Sequence, residues 1–144
     1  MKLWGGRFSA GPAELFERFS GSLHFDQRLF EADVVGSRAW AAALERVGIY
    51  SQTERQQVQA AFDEMLAESQ SPEYFAGADD EDVHTFVIRK LGEKSEDLAA
   101  RIHTGRSRNE QVATDFRLWM KGEIRANQSR LVDLMQALVD FAKR

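Results

Sequence analysis

The chain contains no cysteine. Disulfides, thiolate metal sites and cysteine nucleophiles are therefore excluded. Proline is almost as scarce, with Pro12 and Pro72 the only two. That scarcity, beside many Ala, Leu, Glu, Arg and Gln residues, favours helix over sheet. No run of about 20 apolar residues exists to cross a bilayer. Lys2 and Arg7 are not followed by the apolar stretch of a secretion signal, so no membrane partner is expected and the cytoplasm is the expected location. Excess positive charge is missing too. The net charge is -4, whereas a protein that coats nucleic acid is usually basic, so nucleic acid is not an expected partner. There is no internal repeat and no low-complexity tract.

What remains is an ordinary globular composition. The 144 residues are 43% hydrophobic and 29% charged, enough for one domain with a real core. Residues 1–21 are glycine-rich and read as an irregular arm with a short helix around Ala13–Phe19, mobile unless docked. Asp26 is a plausible N-cap for a helix in which Leu29, Phe30, Asp33, Val34, Ala41, Leu44 and Val47 recur at helical spacing, with Gly48 as its stop. Ser51 and Glu54 form a capping-box pattern ahead of Val58, Ala61, Phe62, Met65 and Leu66. Ser69–Asp80 reads as a loop. Asp79, Asp80, Glu81 and Asp82 then stand where a helix dipole favours negative charge. The helix they open carries Val83, Phe86, Val87 and Leu91 and is expected to stop at Gly92. Ser95 is expected to cap a short helix holding Leu98 and Ile102.

The last segment differs in scale. Ser107 and Glu110 suggest another capping box. Phe116, Met120, Ile124, Leu131, Leu134, Leu138 and Phe141 then follow a rhythm of roughly 3.5 residues, the seam of a helix packed in a bundle. Such a helix outgrows the domain before it and predicts association with other long helices. No C-cap signal closes it, so the polypeptide is expected to continue or to pack against copies of itself. The expected architecture is all-α: a small helical domain over residues 1–106, then the first long helix of a central bundle over residues 107–144.

The chemistry-bearing stretch is His103-Thr104-Gly105-Arg106-Ser107-Arg108-Asn109-Glu110-Gln111-Val112-Ala113-Thr114-Asp115. It is a polar turn feeding a helix N-terminus. Unpaired first-turn N–H groups, two arginines able to bind carboxylates in a bidentate manner, and the polar groups of Thr104, Ser107 and Asn109 make an anion site, suited to carboxylate or phosphate. On the residues alone, two solvated arginines behind a simple Ser107 cap account for the same string. An arginine-rich RNA contact is a further alternative, opposed by the net charge and by the lack of stacking aromatics. The string is not a Walker A loop, because it lacks the first glycine and the Gly-Lys-Ser/Thr ending.

The same string resembles the first signature block of the argininosuccinate lyases, with Glu110 where that family usually has Asp. The resemblance covers the whole chain. Lys2-Leu3-Trp4-Gly5-Gly6-Arg7-Phe8 is similar to the family's N-terminal arm. Phe25-Asp26 and Glu31-Ala32-Asp33-Val34-Val35-Gly36-Ser37 are similar to its first helix. Asp80-Glu81-Asp82-Val83-His84-Thr85 is similar to its acidic-histidine block, usually written with Ile at Val83. Other enzymes of the aspartase/fumarase superfamily, such as adenylosuccinate lyase and fumarase, carry different first blocks.

The resemblance implies a mostly helical homotetramer whose active sites are assembled from three chains. It implies reversible β-elimination of argininosuccinate to arginine and fumarate, in arginine biosynthesis, with no metal and no redox cofactor. A base removes a proton beside a carboxylate, an aci-carboxylate intermediate follows, and the C–N bond breaks as a proton reaches the leaving guanidinium. Ser22 and Asn109 match substrate-binding positions of the family. Arg108 matches a position of the same binding loop, and Arg106 and Ser107 are its neighbours. Asp26 and Asp82 would meet the cationic end of the substrate or order the pocket. His84 matches an active-site histidine, with a structural or hydrogen-bonding role expected. Taken without the resemblance, Ser22 is a turn residue, Asp26 a helix cap, Asp82 a first-turn acid, His84 a satisfied histidine and His103 a loop hydrogen-bonder.

The family's Thr-His block and its flexible Gly-Ser-Ser…Met-Pro-Lys loop do not occur in the chain. The catalytic groups are therefore expected downstream of residue 144, and these residues alone are expected to be inactive. Lens delta-crystallins share the lyase fold, so fold alone does not guarantee activity. A non-catalytic helical assembly module built from this region is the alternative.

Overall fold

The computed structural model describes residues 13–144. The similarity of Lys2–Phe8 to a family arm lies outside that range. Seven α-helices follow one another: α1 (Glu14–Ser20), α2 (Leu23–Asp26), α3 (Phe30–Arg46), α4 (Gln52–Glu68), α5 (Val83–Lys94), α6 (Glu96–Arg101) and α7 (Arg108–Ala142). A 3-10 turn, Gln27–Leu29, joins α2 to α3. Among the described residues there is no strand, so the fold is all-α as the periodicity predicts.

Helix α3 is the organising element, packed against α4, α5 and the start of α7. Its Val34, Ala41 and Leu44 meet Val58, Phe62 and Met65 of α4 and Val83, Phe86, Val87 and Leu91 of α5 in one buried core. Burying side chains of this size contributes about 1.5–3 kcal/mol each before ordering entropy is subtracted. The 69–80 segment is anchored by aromatic rings: Phe30, Tyr74, Phe75 and Phe86 make mutual contacts with centroids 4.9–6.1 Å apart. Tyr50 is buried and donates its hydroxyl to the Leu98 carbonyl at 2.6 Å, tying the α3–α4 corner to α6.

Several local expectations hold. Gly48 adopts φ 77° just past α3, a conformation that favours glycine. The Ser51–Glu54 capping box is formed in both directions, at 3.2 and 2.7 Å. Four others need correction. Asp26 does not cap the helix that follows it; the chain runs on through the 3-10 turn, and the Asp26 carboxylate instead accepts the Val83 N–H at the start of α5, at 3.1 Å. Helix α5 does not stop at Gly92 but runs to Lys94, where Ser95 turns extended (φ -160°) to open α6. Ser107 has the extended backbone of an N-cap, but its side chain caps nothing and the box with Glu110 does not form. Likewise Ser95 starts α6 without a side-chain cap bond.

Helix α7 has 35 residues, roughly 50 Å of helix. Only Gln111 and Asp115 on it are buried. Leu131, Leu134, Leu138 and Phe141 are exposed, Phe141 at 76%. No helix among the described residues is long and apolar enough to cross a membrane.

Candidate functional site

The site is built where the starts of α5 and α7 meet the 22–26 segment. It has an outer layer of partly exposed polar groups and an inner layer that is fully buried.

The outer layer begins with the unmet donors of α5. Any helix start leaves its first N–H groups without partners inside the helix. Here Asp82 accepts the Thr85 N–H at 2.8 Å, and Asp26 reaches across from α2 for the Val83 N–H. Ser22 donates its hydroxyl to Asp26 Oδ2 at 2.6 Å, and its own N–H binds the Glu81 carbonyl at 2.7 Å. Arg108, the first residue of α7, donates to Asp82 Oδ1 at 2.5 Å and to Thr85 Oγ1 at 2.7 Å. The Thr85 hydroxyl in turn donates to Asp82 at 2.9 Å. Four of the residues singled out in the sequence, Ser22, Asp26, Asp82 and Arg108, are thus brought into one connected network from segments far apart in the chain.

Burial works to raise the Asp82 pKa, but the Thr85 N–H and the Arg108 charge outweigh it, and the carboxyl sits below its usual range. Asp26 goes the other way: burial, with Asp82 nearby, raises it against the Ser22 hydrogen bond. Asn109 and Ser107 are exposed at the α7 start and join neither layer through a side-chain hydrogen bond among the described residues. His103, in the turn before α7, is pushed down by burial and then by Arg106 and Arg108, which favours its neutral form.

The inner layer joins α3, α5 and α7. His84 Nδ1 is hydrogen-bonded to Asp33 Oδ2 and lies 3.5 Å from Asp115 Oδ2. Asp33 also accepts from Ser37 Oγ at 3.1 Å and from Gln111 Nε2 at 2.8 Å. Arg106 turns inward, donating to Ser37 Oγ at 3.0 Å. Asp33 and Asp115 are each 0% exposed. Gly36 makes room for this junction: a Cβ there would stand 3.1 Å from Asp115 Oδ1 and 3.7 Å from Arg106.

Burial opposes a charged His84, but the Asp33 hydrogen bond and charge outweigh it and raise its pKa. Burial, and then the Asp33 charge, raise Asp115 to about 7. Asp33, His84 and Asp115 offer donor atoms within 4.8 Å of one another, the chemistry of a divalent-cation site. The two carboxylates already face Arg106 and a histidine that favours its proton, so charge balance asks for no metal.

Of the inner layer, sequence reasoning named His84 and Arg106 but missed Asp33, Gln111 and Asp115. Their signal was present: Asp33 falls within an apolar stripe, at a position that points to the core, where a carboxylate needs dedicated partners. Asp115 lies four residues after Gln111, so one face of α7 presents both.

The chain belongs to the lyase family, whose model matches residues 6–144. It is similar to the argininosuccinate lyase of Solibacter usitatus (strain Ellin6076), at 57% identity over 143 residues, which covers 99% of this chain and 31% of that relative. The chain therefore spans about a third of the relative's length, and the match falls on its N-terminal part.

Proposed function

We propose that this chain supplies the substrate-anchoring corner of an argininosuccinate lyase, which splits argininosuccinate into arginine and fumarate by β-elimination. The observation that carries this reading is the convergence of Ser22, Asp26 and Asp82 at the start of α5 with Arg108 from the start of α7. Elimination beside a carboxylate builds negative charge on that carboxylate, and fixed positive groups stabilise it most when they are already in place. Arg108 and the N-terminus of α7 carry that positive end, with Asn109 and Ser107 exposed beside it as neutral donors. Asp26 and Asp82 form the opposite pole, suited to the guanidinium end of the substrate. Arg106 serves the same loop from inside, by holding its turn against Ser37.

The reading extends to assembly. Residues 1–106 form the anchoring domain and residues 107–144 begin the bundle. The exposed Leu131, Leu134, Leu138 and Phe141 would be covered by long helices of other copies, in a cytoplasmic homotetramer. No nucleic-acid or membrane partner, metal or redox cofactor forms part of the proposal. A base for proton abstraction comes from residues outside this chain.

The test uses the purified 144-residue protein with argininosuccinate. The expected result is no fumarate formed, together with amide shifts confined to Ser22, Asp82, Arg108 and Asn109 in a nitrogen-15 spectrum. Turnover would overturn the inactivity of the chain. Shifts elsewhere, with these four unmoved, would overturn the anchoring site.

A further inference from the structure

We propose that Asp33 is a positioning residue for His84: it holds the imidazole by its Nδ1 edge, with that nitrogen protonated and the ring in one orientation, so that Nε2 is the atom left to face the substrate. The inference deepens the anchoring reading above, and its catalytic meaning rests on that reading.

What each atom can donate or accept decides the arrangement. An ionised carboxylate only accepts, so the Asp33–His84 hydrogen bond requires a proton on Nδ1. Turning the ring over would put the Cδ2–H group where Nδ1–H stands and leave Asp33 with one acceptor site unmet in a fully buried setting. Asp33 itself is fixed from two sides, by Ser37 on its own helix and by Gln111 from α7. The orientation of His84 is therefore set by α3 and α7 together, the two helices that also set the loop bearing Arg108. Nε2 has no protein hydrogen-bond partner among the described residues.

The charges around the ring support the same arrangement. Asp33 faces it from α3 and Asp115 from α7, while Asp82 at the start of α5 adds a third negative neighbour. Asp26 from α2 also senses it. His103, in the loop before α7, also senses His84, together with Arg106 and Arg108. Asp115 has no hydrogen-bond donor on either oxygen among the described residues. A carboxylate so placed is tolerated where positive charge stands close, and His84 Nδ1 at 3.5 Å provides it. A protonated Nδ1 facing both carboxylates makes the pair of buried aspartates intelligible.

Ring nitrogen-15 spectroscopy of the histidine-labelled chain tests this without any turnover. Three histidines are present, His24, His84 and His103, so removing His24 and His103 in turn assigns them. The expected result is a protonated Nδ1 on His84 from about pH 5 to about pH 9, and a titration midpoint above that of an ordinary histidine. Asp33→Asn should lower the midpoint by about one pH unit or more and allow the other tautomer. Ser37→Ala, which leaves the Asp33 carboxylate in place, should keep Nδ1 protonated. A wild-type His84 with a bare Nδ1 at neutral pH would overturn the proposal, whether or not Asp33→Asn folds. So would an Asp33→Asn protein of unchanged helicity, midpoint and tautomer. Added fumarate separates the two proposals. If it fails to shift Nε2 while Nδ1 stays protonated, the anchoring reading fails and the positioning role stands. If Nδ1 is bare yet fumarate shifts Arg108 and Asn109, the reverse holds.

Discussion

Asp82 and Asp115 are chemically identical side chains in neighbouring parts of one site, and the protein treats them in opposite ways. Asp82, at the start of α5, is supplied with donors: the Thr85 N–H, the Thr85 hydroxyl and the Arg108 guanidinium. Asp115, two turns into α7, has positive neighbours but no donor on either oxygen. Both are penalised by burial. Donated hydrogen bonds carry Asp82 below the usual carboxylate range, while Asp115 is left at about 7. The difference shows that a positive charge at some distance does not replace a hydrogen bond for a buried carboxylate. It also separates two tasks. The outer layer keeps its acid ionised and near solvent. The inner layer keeps its charge scarce and internal, as fixing three helices needs.

The largest expected effect breaks the inner layer alone. Asp33→Ala leaves His84, Gln111 and Ser37 without their shared acceptor in the interior. Removing one partner of a buried ion pair costs about 3–5 kcal/mol, to be read from urea unfolding of the chain. A loss below about 1 kcal/mol would mean that water or rearranged side chains satisfy these groups, and the contrast between the layers would collapse.

The acid–base behaviour of the two aspartates gives the next effect, because their signs differ. The Asp115 pKa rises on folding from 3.8 to about 7. Its contribution is present in full below about 3.8 and declines as pH rises through about 7. Asp82 is lowered on folding, so its contribution is present above the ordinary carboxylate range and is lost as pH falls through the depressed value. Unfolding free energies of wild type and Asp115→Asn, measured across pH, should therefore diverge between about pH 4 and about pH 7, with the variant gaining on the wild type as pH rises. Parallel curves over that window would place Asp115 in solvent contact.

The helices themselves were legible in the sequence, because periodic Val, Leu, Phe and Ala stripes answer to one local rule. Gly48 and the Ser51–Glu54 box were legible for the same reason: each is completed within a few residues. What could not be read was every polar contact closed over distance. Asp26 looks like a local cap, yet the donor it satisfies is 57 residues away. Asp33 finds His84 at a separation of 51 and Gln111 at 78. Spacing along one helix says that Asp33 faces inward but not what it meets there. The resemblance named residues of the outer layer, since those stand in recognisable strings. It did not name Asp33 or Asp115 as a pair, because their relation exists only once α3, α5 and α7 are packed.

The smallest effect tests whether the outer layer is a matter of capping or of charge. Asp82 does two things: its oxygen caps α5 through the Thr85 N–H, and its charge meets Arg108. Asp82→Ala removes both and should cost about 1 kcal/mol, the usual loss of an N-cap. Asp82→Asn keeps an oxygen that caps but loses the charge, and should cost only a few tenths of that, roughly 0.3 kcal/mol, because the partly exposed Arg108 pair is screened by solvent. The two variants should behave alike in ligand binding, however, since both free Arg108 from its carboxylate partner. If Asn proves as damaging to stability as Ala, the ion pair rather than the cap holds the start of α5. Asp82 would then depend on charge much as Asp115 does, and the division between an acid held by donated hydrogen bonds and one left without donors would have to be redrawn.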